Sequence, residues 1–194
     1  VDDEFVFDGG RPCLDLVNTV RERYLGGRDL LTGPAALSEW LVAAGLAGRR
    51  PRVTATQLDE FVELREAIDA VVMGRATPRA VRLLNESARC APLPVPQLRF
   101  RAGRLDRAEP VPADPVATAR ARLAVDAIEL ATDGTPVREC GAGDCSLRFA
   151  DYSQKHNRQW CSMARCGNRV KARAHYARIR KGRKEESYPA GTGA

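Results

Sequence analysis

Cys140-Gly141-Ala142-Gly143-Asp144-Cys145 and Cys161-Ser162-Met163-Ala164-Arg165-Cys166 decide how this chain is read. Their spacing is C-x4-C-x15-C-x4-C. Two close pairs joined by a loop suit a tetrahedral Zn²⁺, because each pair clamps one edge of the tetrahedron and the intervening segment brings the edges together. The middle gap is long enough for a hairpin. Arg138, Arg148, Arg158, Arg165 and Arg169 surround the pairs, and cationic neighbours favour thiolate over thiol. Two disulfides are the alternative in an oxidising compartment, and an iron–sulfur cluster is the other thiolate-rich possibility. A metal held by Cys140, Cys145, Cys161 and Cys166 has no open position, so it is expected to be structural and not catalytic. Phe149 and Trp160 are the large apolar groups expected beside it. His156 reads as a hydrogen-bonding residue, and Cys13 and Cys90, which lack close partners, as small apolar ones.

Charge separates this segment from the rest. Residues 140–194 hold 12 Lys+Arg and 4 Asp+Glu, 12 − 4 = +8, whereas residues 1–139 hold 19 and 21, 19 − 21 = −2. After Cys166 the chain is rich in helix formers, and a helix from about Asn168 to Lys184 is predicted. Arg169, Arg173, Arg180 and Lys184 fall on one stripe, with Lys171 and Arg178 on the far side. Val170, Ala174 and Ala177 form a small apolar strip expected to pack on the metal loop. A cationic helix on a metal-fixed scaffold points to phosphate and base-edge contacts through Arg169, Lys171, Arg173, Arg178, Arg180, Lys181 and Lys184. The stripe lacks the large apolar face of a membrane-surface helix.

Upstream the pattern is helical. Periodicity predicts a helix from about Pro12 to Leu25, one from Pro34 to Ala44, one opened by the Thr54–Gln57 capping-box spacing and closed by Gly74, and one from Pro78. Prolines at 92, 94 and 96 break this run, and Leu98–Leu105 alternates as a short β-hairpin would. A long helix follows to Gly134-Thr135-Pro136, the predicted boundary. The fold class is therefore mainly α with a short β-hairpin (α+β). No apolar run is long enough to span a membrane, and no basic-then-apolar leader follows the acidic start, so a cytoplasmic protein is expected. No nucleophile–base–acid set or phosphate-cradling glycine loop is present, so no enzymatic activity is expected.

Trp160-Cys161-Ser162-Met163-Ala164-Arg165-Cys166-Gly167-Asn168-Arg169-Val170-Lys171, with Leu147–Asp151 upstream, resembles the signature of the CGNR zinc-finger family. Phe7-Asp8-Gly9-Gly10-Arg11-Pro12-Cys13-Leu14-Asp15-Leu16-Val17-Asn18-Thr19 is similar to the start of the ABATE domain that precedes that finger. The resemblance implies a bacterial stress-related transcription regulator with Zn²⁺ at the four cysteines and double-stranded DNA as partner. It sets a helical ABATE-like regulatory domain at 1–136 and the finger at 137–184, and the closing Pro-Ala-Gly-Thr-Gly-Ala points to a disordered tail at 185–194. A redox or small-molecule sensor with a zinc-thiolate switch, or an RNA-binding protein, is the alternative. Asp15, Asn18 and Thr19, polar groups on an apolar helix, could line a pocket for a small-molecule signal or hydrogen-bond to neighbouring backbone. A homodimer is also open.

Overall fold

Prolines open four of the helices. Pro12, Pro34, Pro78 and Pro115 begin α1 (Pro12–Val17), α2 (Pro34–Ala43), α4 (Pro78–Arg89) and α5 (Pro115–Thr132), where a missing N–H removes no intrahelical bond. The computed structural model describes residues 4–186, with side chains through Arg180 in the last helix. Helix α3 (Ala55–Val72) starts with the predicted capping box: Gln57 N–H donates to Thr54 Oγ1 at 3.2 Å and Thr54 N–H to Gln57 Oε1 at 3.0 Å. Gly45 and Gly74 follow α2 and α3 with φ of 70° and 71°, the left-handed conformation that ends a helix most cheaply at glycine. Helix α6 (Asn168–Glu186) closes the described chain.

Helix α3 packs against α4 and α5, and α1 lies across α3 and α5. Leu14, Leu37, Trp40, Leu41, Phe61, Leu64, Ile68 and Leu123 are fully buried between them, each contributing roughly 1.5–3 kcal/mol. The strands form three separate antiparallel pairs: β1 (Val20–Arg21) with β2 (Arg28–Asp29), β3 (Gln97–Arg101) with β4 (Arg104–Ala108), and β5 (Val137–Glu139) with β6 (Arg148–Ala150). The fold is thus mainly α with small sheets. The β3–β4 pair is the predicted hairpin. Ala102 and Gly103 turn it with φ of 48° and 77°, the two left-handed residues a tight hairpin turn needs. Its alternation does not bury a face, since Leu98, Phe100 and Leu105 stand exposed on one side.

Two expectations change. The first helix ends at Val17, not near Leu25, because Asn18 and Thr19 are drawn into other bonds. Thr19 Oγ1 donates back to the Leu16 carbonyl at 2.7 Å and Asn18 engages β6. Residues 20–29 then form the β1–β2 pair around a 3₁₀ turn at Arg23–Leu25. The hairpin of the cysteine segment also lies elsewhere than expected. Strands β5 and β6 bracket the first cysteine pair, which sits at their connecting turn, and the long gap holds β6 and a loop. Of the predicted tail 185–194, residues 185 and 186 continue α6, because helix formers run on through Glu186, and residues 187–194 lie outside the described residues.

Candidate zinc centre and nucleic-acid interface

The turn after β5 carries Cys140 and Cys145, and the π-turn Met163–Gly167 leading into α6 carries Cys166, with Cys161 just before it. A strand pair and a helix start therefore face each other across the sulfurs. The four Sγ atoms lie within 4.8 Å of one another. Cys145 and Cys161 are 3.9 Å apart and Cys161 and Cys166 3.6 Å. A tetrahedron with Zn–S of about 2.3 Å has edges of about 3.8 Å, and a disulfide would need about 2.05 Å. All six cysteines are free thiols, so the disulfide alternative is not what the fold makes. Among the four, Cys140, Cys161 and Cys166 are buried and Cys145 is half-buried.

The titration of these sulfurs points the same way. Hydrogen bonding from Cys161 pulls the Cys145 thiol down to about 5. Cys161 is pushed up by that same neighbour and by burial, and Cys166 is pushed up to about 12 by burial and then by the charge on Cys145. Crowding thus favours the thiolate at Cys145 and opposes it at Cys161 and Cys166. A divalent cation among the sulfurs would relieve the repulsion that opposes ionisation of Cys161 and Cys166.

Second contacts hold the ligands in place. Cys161 N–H approaches Cys140 Sγ at 3.5 Å and Arg169 Nη2 approaches Cys166 Sγ at 3.4 Å. Phe149 is fully buried beside the sulfurs and Trp160 packs on the same cluster, as their apolar bulk predicted. Arg158 lies over the Phe149 ring with its guanidinium carbon 4.6 Å from the centroid, and donates to the carbonyls of Trp160 and Cys161. Asp151, fully buried, accepts from Arg138, Ser153 and the Arg158 N–H. Burial would raise its carboxyl, but these donors hold it below the usual range. His156 Nδ1 lies 3.0 Å from the Asp151 carbonyl, in a hydrogen-bonding role and not on the metal. Gly167 sits in a tight place: a Cβ there would lie 3.1 Å from Trp160 Cδ1 and would displace the end of the Met163 side chain.

Arg21, Arg28, Arg165 and Arg169 line a recess of about 350 Å³ on the open side of Cys145 and Cys166. A zinc tetrathiolate carries −2, and this ring of guanidinium groups, part-paired with Glu22, Asp8 and Asp144, supplies countercharge to it.

The profile of the ABATE family, described as "Putative stress-induced transcription regulator", matches residues 10–134, and that of the CGNR zinc finger matches residues 137–179. The chain is an ABATE protein with a CGNR zinc finger. A comparison with curated proteins returns no match. The CGNR motif is Cys166-Gly167-Asn168-Arg169, and each member has a place: a sulfur in the cluster, the glycine under Trp160, the first residue of α6, and an arginine on Cys166. The finger and the four-sulfur geometry agree on structural zinc.

The ABATE opening sequence is where the body grips the finger. Asn18 Nδ2 donates to the Arg148 carbonyl at 2.9 Å and accepts at Oδ1 from the Arg148 N–H at 2.7 Å, so the side chain mimics a neighbouring strand. The Ala150 N–H donates to the Gly9 carbonyl at 2.9 Å, and Gly10 passes close to Ala150. Asp15 Oδ1 accepts from the Gly9 N–H at 2.9 Å. Burial, opposed by that bond and joined by Asp8 and Asp126, pushes the Asp15 carboxyl up to about 7. Thr19 Oγ1 accepts from Arg65 at 3.1 Å. Asp15, Asn18 and Thr19 are thus spent on backbone and side-chain bonds at this junction. Arg148 completes it with Nε 3.0 Å from Asp69 Oδ1, both side chains buried. Asp69 would be raised by burial, but Arg148 holds it below the ordinary carboxylate range.

The basic helix stands away from the body. Val170 packs on the finger cluster, but residues 171–180 are all exposed, including Ala174 and Ala177. The predicted packing strip ends after one residue because the body offers nothing for the next turns to cover. Arg169 and Arg173 both reach Asp144, at 2.9 and 2.8 Å, and fasten the helix to the first cysteine turn. The sequence reading missed Asp144. Its signal was a lone acid inside the first cysteine pair. Lys171, Arg178 and Arg180 form no ion pair among the described residues, while the side chains of Lys181 and Lys184 lie outside them. Cys13 is buried in the main core and Cys90 is half-buried, its thiol 3.3 Å from the Ala117 carbonyl.

Proposed function

We propose that this protein is a stress-related transcription regulator in which Cys140, Cys145, Cys161 and Cys166 hold one structural zinc and α6 binds double-stranded DNA. The reading is supported most by the ten consecutive exposed residues 171–180, which carry Lys171, Arg173, Arg178 and Arg180 and no acid. A helix with one packed turn draws little stability from the body. A polyanion supplies what it lacks, since phosphates on both walls of a groove can meet cations on both of its faces.

The residues divide the work. The four thiolates, with zinc bound, fix the angle between the β5–β6 turn and α6. Asp144 holds Arg169 and Arg173, which set the helix on the finger and can turn one guanidinium edge to phosphate. Lys171, Arg178 and Arg180 contact DNA directly, with Lys181 and Lys184 extending the same run. Residues 1–136 form the regulatory part and 137–186, to the end of α6, the reader, in a cytoplasmic, non-enzymatic protein able to form a homodimer.

The test is fluorescence anisotropy of the zinc-loaded chain on duplex DNA across a salt series. The affinity should fall steeply with salt, and Lys171→Ala/Arg178→Ala/Arg180→Ala should lower the slope of log K against log salt by about 2.7, at about 0.9 per phosphate contact. Chelation of zinc should abolish binding. Affinity indifferent to salt or to the triple variant overturns the reading. Tighter binding to a hairpin RNA than to the duplex would return the RNA alternative.

A further inference from the structure

We propose that the cleft between the α2–α3 connection and the proline-rich segment before α5 binds a small organic anion, a carboxylate or phosphate monoester carrying an apolar body. This site is separate from the finger and does not depend on the DNA reading. The cleft measures about 990 Å³ and takes lining from residues 45–57 and 109–122, at the upper end of the size range of small-molecule sites.

Its walls differ in character. One is the segment Arg49-Arg50-Pro51-Arg52, held in shape by Ser38 Oγ donating to the Pro51 carbonyl at 2.7 Å and by Leu46 and Ala47 N–H groups both donating to the Leu41 carbonyl. The other is Pro110-Val111-Pro112, in which Val111 is 92% exposed, an apolar side chain held out by rigid neighbours. Thr118, 4% exposed, lies at the base.

The charge balance makes the cleft an anion receptor. Its lining carries Arg49, Arg50, Arg52 and Arg122 against Glu109 and Asp114, and Glu39 pairs with Arg50 from outside the lining, 4 − 3 = +1. Arg122 is paired with Glu109 at 2.6 Å, and Arg50 with Glu39 at 3.0 Å. Arg49 and Arg52 have no ion pair among the described residues. The first turns of α3 and α5 border the cleft, but Thr54 and Asp114 already cap them. The two unneutralised guanidinium groups are therefore what selects an anion, and the Val111 wall is what selects one with an apolar body. The cleft takes its α5 lining from Pro115, Val116, Thr118 and Arg122, and no cysteine of the metal cluster lines it.

The experiment uses the zinc-loaded full chain and 8-anilinonaphthalene-1-sulfonate, a fluorescent organic anion with an apolar body. One saturable site is expected, displaced by 4-phenylbutyrate but not by neutral 4-phenylbutanol. Arg49→Glu/Arg52→Glu should weaken it by about tenfold or more, as loss of charge-assisted bonds does, and Arg52→Gln should weaken it in the same direction with unchanged circular dichroism. In ¹⁵N spectra, 4-phenylbutyrate should shift amides of 45–57 and 109–118. Lys171→Glu/Arg178→Glu should leave probe binding intact, which separates this site from the DNA surface. No probe binding, equal displacement by the alcohol, indifference to the arginine variants, shifts centred on the exposed β3–β4 face, or displacement by duplex DNA but not by 4-phenylbutyrate each overturn the proposal.

Discussion

Replacing Asn18 by Ala removes both bonds to Arg148 and leaves a buried N–H and a buried carbonyl in β6 without partners. Asn18 is 2% exposed, so water has little access to replace them. Each unsatisfied buried group costs roughly 1–3 kcal/mol, giving about 2–6 kcal/mol with about 3 as a working value. At about 1.4 kcal/mol per factor of ten, that is a loss of roughly a hundredfold in the folded ratio. The two tryptophans make the loss readable in place, because Trp40 is buried in the main core and Trp160 packs in the finger. In urea titrations of the Trp40→Phe and Trp160→Phe backgrounds, the unaltered junction should give coincident transitions. Asn18→Ala should move the Trp160 transition to lower urea by more than the Trp40 transition. Asn18→Asp adds a signature of its own. A carboxylate can accept from the Arg148 N–H but repels the Arg148 carbonyl, whereas the protonated acid can donate to it. Its folded-state pKa is therefore raised, and the variant should be most stable below the unfolded value of about 3.9 and lose stability as pH rises through the folded value. Coincident transitions in Asn18→Ala with a shift under about 1 kcal/mol, or an Asn18→Asp deficit that does not change with pH, would refute the backbone-mimic account.

Three further outcomes follow from the same junction. Asp69 titrates below its unfolded value, so its contribution is present above about pH 4 and lost as pH falls. Asp69→Asn should cost roughly 1.5–3 kcal/mol at neutral pH, the range for a hydrogen bond to a charged group, because Arg148 keeps Glu139 as an ion-pair partner, and should flatten the acid limb of the denaturation profile. Asp15 has the opposite sign: with its folded pKa raised to about 7, its contribution is fully present below about pH 4 and declines as pH rises towards 7, so Asp15→Asn should remove that decline from a urea midpoint series. Gly9→Ala places a Cβ 2.8 Å from both Asp15 Oδ1 and Leu14 Cβ, and calorimetry should show a lower unfolding temperature together with faster amide exchange at Ala150, whose N–H is held by the Gly9 carbonyl.

Local chemistry was legible in the sequence. The Thr54–Gln57 box, the helix-opening prolines and the Ala102-Gly103 turn act within a few residues of themselves, so their partners lie in the same line of text. The four cysteines were legible for a different reason: a metal imposes a spacing that few other demands produce. What the sequence hid lies across long separations. Asn18 leaves its helix because its partner, Arg148, stands 130 residues away, and no periodicity in residues 12–25 records that. Arg169 and Arg173 looked like free cations until Asp144 was placed beside them. Ala174 and Ala177 fitted a packing strip, but the surface they would need is absent among the described residues. The cleft at residues 45–57 and 109–122 is assembled from two segments whose arginines and prolines are unremarkable when read singly.

The Asn18–Arg148 bonds also bear on how the chain is made and how its parts could be exchanged. The loop that opens the ABATE part is synthesised early, yet its carbonyl and its amide side chain wait for a strand that emerges more than a hundred residues later, and the Asp69 carboxylate waits 79 residues for the same strand. A protein cut at Pro136 would carry these groups facing water, and a finger transplanted to a foreign body would arrive with β6 unbacked. The border between the two matched families, which falls between residues 134 and 137, is therefore crossed by buried bonds, and a finger moved without the loop that receives it would leave those bonds behind.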